Sequence, residues 1–446
     1  MSEFEKRKKA LSDEYAGEFY SSLNRITTAF KERLSALLGE SYEASAKRYD
    51  EVLAEQKEAI LARTGVSVQI TKALASPYED KSALAAKYGF ALTNEANELF
   101  EDETIDVIVE LIGKIDPAKA FISAALENKK HVVTANKDLI ATHGPELLAI
   151  AEKAGVSLYY EASVGGGIPI LRTLSTHYLP DTITGIFGIV NGTTNYMLTK
   201  MTEDGMTYED ALSQAQAKGF AESDPTNDVD GIDAAYKMVI LTKFAFGKTI
   251  HVADVATKGI RGLAVADIKQ AQAFGYEVKL IGAAQKTVDG SLTVSVGPVL
   301  VPKNHALATI QNEFNGIFIE SEGIDQSMVY GPGAGSRPTA TSVVADLTVL
   351  AKNKSFGIVE PFLTFEKETA LASVEEVPSR HYVSFSSQEI KGNAHPEWFA
   401  FEQTVFNEAD QRIAGITNPM SEKELTEKLA TYTDAQDIQI MKVMEE

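Results

Sequence analysis

Residues 221–237 read "AESDPTNDVDGIDAAYK", and five carboxylates, Glu222, Asp224, Asp228, Asp230 and Asp233, crowd a turn-rich stretch that ends on Lys237. Three chemistries would use such a stretch. A calcium loop would coordinate a cation, a helix cap would answer free backbone N–H groups, and a proton-transfer site would hold an amine beside carboxylates. Spacing removes the first. An EF-hand loop around Asp228-Val229-Asp230-Gly231 needs an acidic or amide residue at 226 and a glutamate at 237, where the sequence has Thr226 and Lys237. For Asp228 and Asp230 the local pattern predicts a cap on a helix starting near Gly231, with Asp233 in its first turn against the macrodipole. Asp233 and Lys237 are four apart and share one helix face. The following "MVILTKFAF" makes that helix largely apolar, so its polar residues are expected to face a cleft. There the pair is either a minor salt bridge or a proton donor and acceptor.

Two further stretches have ligand-binding composition. "EASVGGGIP" (161–169) sets three glycines after a strand, which either turns the chain tightly or leaves backbone carbonyls open to a ligand or cation. "VNGTTNYMLTKM" (190–201) places hydroxyl and amide side chains between a strand and a helix, where ligand contacts concentrate. His131, His177 and His251 lack the spacing of metal ligands and read as structural.

The elements that must position these residues follow from the rest of the chain. With 446 residues and 44% hydrophobic composition, two or three domains with a real core are expected. A formal net charge of −21 repels nucleic acid and anionic membranes. The chain has no cysteine, so disulfides, thiolate metal sites and a cysteine nucleophile are excluded, in keeping with a reducing compartment. The first residues lack the apolar run of a signal peptide, and "MVILTKFAFG", broken by Lys243, is too short to span a bilayer. A cytoplasmic protein acting on a small molecule, without nucleic-acid or membrane partners, is expected.

Apolar residues at Phe19, Leu23, Ile26, Phe30 and Leu37, then Tyr42, Tyr49, Leu53 and Ile60, predict mostly helix over 1–62, interrupted near Gly39. From about 66 to 160 strands alternate with helices, the signature of a parallel sheet covered on both faces. Such sheets bind ligands at the carboxyl ends of their strands. Beyond 161, "TGIFGIV", "VKLIGAAQ", "SLTVSVGPVLV" and "GIFIESEG" predict a sheet-based α+β domain. "HYVSFSS", "RIAGITNP", "SEKELTEKLATYT" and "DIQIMKVME" predict a small βαβ-like C-terminal module. The expected class is α/β plus α+β. It comprises a helical extension (1–33), a Rossmann-like domain (34–160) to which helix 338–352 returns, a substrate and dimerisation domain (161–337), a linker (353–380) and the C-terminal module (381–446).

Five stretches occur in order: "HVVTANK", "YYEASVGGGIPILRTL", "GIVNGTTNYMLTKM", "GFAESDPTNDVDGIDAAYK" and "YGPGAGSRPTATSVVADL". Together they resemble the homoserine dehydrogenase family over roughly residues 66–352. The resemblance implies NAD- or NADP-dependent interconversion of aspartate-4-semialdehyde and homoserine, and a homodimer or larger homo-oligomer. It further implies that Lys237 is the catalytic lysine with Asp233 beside it, and that Glu222 and Asp228 bind substrate, Glu222 through the amino group. Lys137 of "TANK" would stand near the nicotinamide and substrate, and Gly333 in the turn over the cofactor. Glu161, Val164, Gly166 and Ile168 would hold sodium or another structural cation, mostly through carbonyls. The chemistry suits these types: reducing an aldehyde needs a hydride on carbon and a proton on oxygen, and acidic groups suit a substrate bearing an ammonium.

The chain departs from the family in two places. No G-x-G-x-x-G turn precedes "VSVQITKAL"; the nearest candidate is Gly39-x-Ser41-x-x-Ala44, and the alternative is an uninterrupted helix in which the central strand is missing or replaced. The second alternative would fit a non-catalytic binding protein with a disabled cofactor site, and a dehydrogenase for a related semialdehyde is a third reading. The residues after "VSVQITKALAS" show neither a ribose-binding acid nor an arginine pair, leaving NAD and NADP both open. The C-terminal module resembles an ACT domain, but "QEIKGNAHPEWFAFEQTVF" replaces its first turn and helix, so an effector site and a structural cap both stand.

Overall fold

The computed structural model describes residues 25–29, 40–75, 80–360, 371–387, 401–407 and 412–445. The chain divides into two compact units, one running to Pro169 and resuming at Ala334–Thr364, the other comprising Ile170–Gly333 and Phe365–Glu446.

The first unit is a six-stranded parallel sheet with helices between its strands. Its elements are β1 (Arg25–Ala29), α1 (Glu40–Thr64), β2 (Gln69–Leu74), α2 (Ser82–Tyr88), β3 (Ala91–Thr93), α3 (Asn97–Phe100), β4 (Val107–Glu110), α4 (Ile115–Glu127), β5 (His131–Thr134), α5 (Lys137–Ala154) and β6 (Leu158–Tyr159). The strand order is β3-β2-β1-β4-β5-β6, which reverses between β1 and β4 as in doubly wound dinucleotide-binding sheets.

The helical reading of 1–33 is therefore corrected at residues 25–29; the rest of that stretch lies outside the described residues. Residues 25–29, Arg-Ile-Thr-Thr-Ala, form the central strand, parallel to β2 on one side and β4 on the other, with Ile26 opposite both Ile70 and Val107. Three consecutive β-branched residues fit an extended chain. The deciding force is non-local, because a slot between two strands satisfies ladder hydrogen bonds on both edges. Gly39 lies outside the described residues, while Ser41 and Ala44 stand in α1.

The core of this unit joins Val52, Leu53 and Ile60 of α1, Ile70 of β2, Val107 and Val109 of β4 and Val133 of β5 to Val343, Val344, Leu347 and Leu350 of a returning helix, Ser336–Ser355. Residues 161–169, expected in the second domain, belong here instead. The Glu161 N–H donates to the Asp346 carboxylate at 2.8 Å, and the Ser342 hydroxyl donates to the Gly166 carbonyl at 2.7 Å. A Cβ on Gly167 would lie 2.8 Å from that of Pro338, so this glycine lets the loop close on the returning helix. His131 accepts the Ser157 N–H on Nδ1, and burial pushes its pKa down to about 4. It acts as a neutral structural acceptor.

The second unit is a ten-stranded mixed sheet with helices packed on it. In chain order come α6 (Leu171–Thr176), β7 (Ile183–Ile189), α7 (Gly192–Glu203), α8 (Tyr208–Ala217), α9 (Thr226–Val229), α10 (Ile232–Phe246), β8 (Ala256–Thr257), α11 (Val265–Ala273), β9 (Tyr276–Lys286), β10 (Leu292–Pro302), β11 (Phe314–Ser321) and β12 (Asp325–Pro332). After the return through the first unit follow β13 (His381–Ser386), β14 (Phe401–Asn407), β15 (Arg412–Thr417), α12 (Glu422–Leu429) and β16 (Gln436–Val443). The strand order is β12-β11-β7-β9-β10-β16-β13-β15-β14, with β8 also on β10. Helices α7, α10 and α11 pack against β9.

The C-terminal residues keep a core of their own, Val383, Phe385, Ile413, Met420, Leu425 and Leu429, yet join the sheet of the second unit. β16 pairs in parallel with β10, Val299 opposite Lys442 and Leu300 opposite Val443, so the C-terminal strands continue the sheet. A buried polar knot strengthens the junction. Asp267 on α11 accepts from the Tyr382 hydroxyl at 2.7 Å, the Ser384 hydroxyl at 2.5 Å and the Arg412 guanidinium at 3.2 Å. Removing the only cationic partner among these would leave a carboxylate that is 1% exposed without charge compensation. Arg412→Ala is expected to cost the second unit about 3–5 kcal/mol, measured by urea unfolding; a loss below about 1 kcal/mol would show that this junction does not depend on the pair.

Candidate active site

The site of the second unit is built where three chain segments meet: the end of β7, the short α9 and the start of α10. Residue 190 ends the buried run of β7, and Asn191 caps α7. The Asn191 Oδ1 accepts the Thr194 N–H at 2.9 Å and the Thr194 hydroxyl at 2.9 Å, the use of an N-cap amide that satisfies an otherwise orphaned helix donor. Gly231, at φ 81°, lets the chain leave α9 and enter α10 at once. It stands at the N-cap of α10 and no side chain caps that helix, so the expected capping by Asp228 or Asp230 is corrected. Asp230 instead pairs with Arg261, and Asp228 turns toward Asn191.

Asp233 lies in the first turn of α10 and Lys237 one turn on, and only 8% and 9% of their surfaces remain exposed. The Lys237 ammonium donates to the Asp233 Oδ2 at 2.7 Å and to the Val190 carbonyl at 2.6 Å. The same Asp233 oxygen accepts the Asn191 amide at 2.9 Å, and that amide also donates to Asp228 Oδ1 at 2.7 Å. Burial raises the Asp228 pKa; the Asn191 hydrogen bond opposes this, the nearby Asp233 carboxylate reinforces it and the Lys237 ammonium opposes it. Asp224 is solvent-facing, bonded to the Thr226 N–H and hydroxyl, which hold its pKa below the usual carboxylate range.

Glu222 is exposed, but its backbone is fixed from two helices. The Gln216 amide of α8 donates to the Glu222 carbonyl at 2.9 Å, and the Thr193 hydroxyl of α7 donates to the Phe220 carbonyl at 2.5 Å. Tyr196 packs on Phe220 with ring centroids 4.9 Å apart. Asn191, Thr193, Gln216 and the Val190 carbonyl were not singled out as site residues from the sequence. The signal available was the Asn-Gly-Thr-Thr start of a helix; their partners lie tens of residues away.

Gly333 closes the second unit's first segment and lies against the buried Asn315 side chain. Lys137 and the candidate cation loop belong to the first unit. Lys137 is the first residue of α5, whose N-cap Asn136 accepts the Leu139 N–H at 3.1 Å and donates to the Lys114 carbonyl at 3.0 Å. Lys137 itself pairs with Asp138 at 3.6 Å. Glu161, Val164, Gly166 and Ile168 lie in the loop tied to the returning helix, and the Gly166 carbonyl already accepts one hydrogen bond. Among the described residues no three His, Cys, Asp or Glu side chains are grouped to hold a metal, so a cation here would be held largely by carbonyls. Nor is any described helix long and apolar enough to cross a membrane.

A dinucleotide fits the first unit on three observations. The sheet reverses between β1 and β4, creating the crevice such ligands use. Beyond β4 the backbone at Gly113 faces open space, with nothing within 4 Å of where a Cβ would stand. The acid ending β4, Glu110, is wholly buried and its carboxylate is taken up within the protein: it accepts the Ile112 N–H at 2.5 Å and the Thr134 hydroxyl at 2.6 Å. Burial pushes its carboxyl pKa up.

Comparison with known proteins agrees with a break between residues 161 and 169, the later match running on into the returning helix. Residues 169–348 match the family model for homoserine dehydrogenase, and residues 46–161 match that for the homoserine dehydrogenase NAD-binding domain. The second match begins inside α1, so β1 is supplied by residues ahead of it. The chain is 43% identical over 382 residues to a homoserine dehydrogenase of Lactococcus lactis, covering 85% of this chain and 86% of that one. It is 42% identical over 359 residues to that of Bacillus subtilis, covering 80% and 81%. A crystal structure of a homoserine dehydrogenase from Thiobacillus denitrificans superposes with a TM-score of 0.84 at 29% identity, covering 95% of this chain and 98% of that one.

Proposed function

Because the chain belongs to the homoserine dehydrogenase family and has its NAD(P)-dependent oxidoreductase activity, the interconversion of L-aspartate-4-semialdehyde and L-homoserine, we propose that Lys237 is the proton donor and acceptor of that reaction. The observation that carries the assignment is the commitment of its ammonium. Two of its three N–H bonds are taken by Asp233 and the Val190 carbonyl, leaving the third for a substrate oxygen. Hydride exchange with the reacting carbon is the chemistry that NAD(P) supplies when bound, and Gly113 and Lys137 are among the described residues that would hold it. In reduction, Lys237 gives a proton to the aldehyde oxygen as carbon gains the hydride; in oxidation it takes the hydroxyl proton. Asp233 holds the lysine nitrogen oriented between turnovers.

Asp228 and Glu222 supply negative charge for the substrate ammonium, Glu222 from a backbone braced by Gln216 and Thr193. The relatives matched favour the enzyme over the non-catalytic alternative, and the central strand that reading supposed missing is present as β1; its motive, the absent glycine-rich turn, falls between β1 and α1, outside the described residues. Lys237→Ala is expected to lower kcat for homoserine-dependent reduction of NAD or NADP by roughly 10²- to 10⁴-fold, with cofactor fluorescence still reporting binding. Wild-type turnover in that variant would remove Lys237 from the chemistry.

We also propose a monovalent cation on the loop of Glu161, Val164, Gly166 and Ile168; two consecutive left-handed glycines, Gly165 and Gly166, point successive peptide groups in different directions there. Activity should rise on adding sodium or potassium to protein dialysed free of both, and indifference to either would reject the site. Self-association as a homodimer or larger assembly is supported by β12, which has no outer partner strand among the described residues, and by exposed Leu179, Ile324 and Tyr330. Sedimentation is expected to return at least twice the 48.3 kDa chain mass; a monomer at micromolar concentration would overturn it.

A further inference from the structure

Asp228 and Asp233 approach the same amide from different helices. Their mutual repulsion calls for a donor between them, and a cation there would compete with Lys237 for the Asp233 oxygen. Asn191 is the group in that position. Its Nδ2 has two N–H bonds and spends one on each carboxylate, at 2.7 and 2.9 Å. Its Oδ1 meets only donors, the Thr194 N–H and hydroxyl. The two ends of the amide are therefore fixed chemically, since reversing it would set oxygen against two carboxylates. Asn191 is 5% exposed, so these bonds do not exchange freely with water.

We propose that Asn191 is a positioning residue for catalysis: one neutral amide holds Asp228 and Asp233 side by side, and through Asp233 sets where the Lys237 ammonium stands. The proposal rests on the reading of Lys237, Asp233 and Asp228 given above and adds a residue that touches none of the reacting atoms. It also predicts that the lysine and the substrate-binding acid respond together, because one side chain anchors both. The bland alternative is that Asn191 only caps α7.

Two substitutions separate these roles. Serine and aspartate are N-cap residues as good as asparagine, so Asn191→Ser and Asn191→Asp both keep a cap. Serine is too short and has too few donors to bridge both carboxylates, and aspartate replaces two donors by a third negative charge. With the full-length protein, steady-state homoserine oxidation is measured for both variants and for Lys237→Ala, alongside thermal unfolding. Asn191→Asp is expected to lower kcat/KM roughly 10- to 100-fold, with kcat falling and KM for homoserine rising together. Asn191→Ser should show the same split to a smaller degree at a near wild-type unfolding midpoint. A simple loss of folded protein would lower kcat and leave KM unchanged. If Lys237→Ala loses turnover while both Asn191 variants stay within about twofold of wild type, the amide only caps the helix and the proposal falls alone. Should Asn191→Asp fail to fold, Asn191→Ser decides by the same criterion. Undiminished turnover by Lys237→Ala would overturn the reading of the site and this proposal with it.

Discussion

An ammonium group nine-tenths removed from water must be met by acceptors, and the chain has arranged the second unit around meeting the one on Lys237. A backbone carbonyl from the end of β7 takes one N–H and a carboxylate one helical turn away takes another. Neither acceptor alone would do. The carbonyl carries no charge to balance the lysine, and the carboxylate by itself would leave two N–H bonds to be satisfied in an apolar helix surrounding. Every other feature of the site follows from bringing a strand end and a helix start to within hydrogen-bonding distance: the left-handed glycine between α9 and α10, the capped start of α7, and the packing of both long helices on β9.

The same logic of burial with compensation recurs away from the chemistry. Asp267 is wholly enclosed but ringed by two hydroxyls and a guanidinium, and it fastens the C-terminal strands to helix α11 of the second unit. Glu110 is enclosed among neutral donors, and burial raises its proton affinity. The contrast is instructive. Neutral donors on β5 and on the loop after β4 meet Glu110, whereas a guanidinium meets Asp267.

Much of this was legible in the sequence. The alternation of strands and helices from 66 to 160, the four-residue spacing of Asp233 and Lys237, and the ordered motifs are all local signals, and local periodicity reads them well. What was missed is non-local. Arg25–Ala29 carries no alternation that distinguishes it from the helical pattern around it; its strand character comes from β2 and β4, more than 40 and 80 residues away in register. Asn191 reads as one polar residue among several in "VNGTTN", and only the fold brings it within reach of carboxylates 37 and 42 residues on. Asp228 was misread for the reverse reason, since a capping pattern was present locally and tertiary contacts overrode it. The assignment of 161–169 to the wrong domain has a similar origin: its partners, Pro338, Ser342 and Asp346, lie nearly 180 residues downstream.

The way the two units interleave along the chain has a bearing on how the protein comes into being. The first unit lacks one wall of its core until the helix Ser336–Ser355 has been made, and the second lacks β16, which sits between β10 and β13, until residue 443 has left the ribosome. A nascent chain of some 330 residues therefore holds two unfinished bodies at once, one with an uncovered apolar face and the other with an open strand edge. Such intermediates are the ones that pair with neighbours.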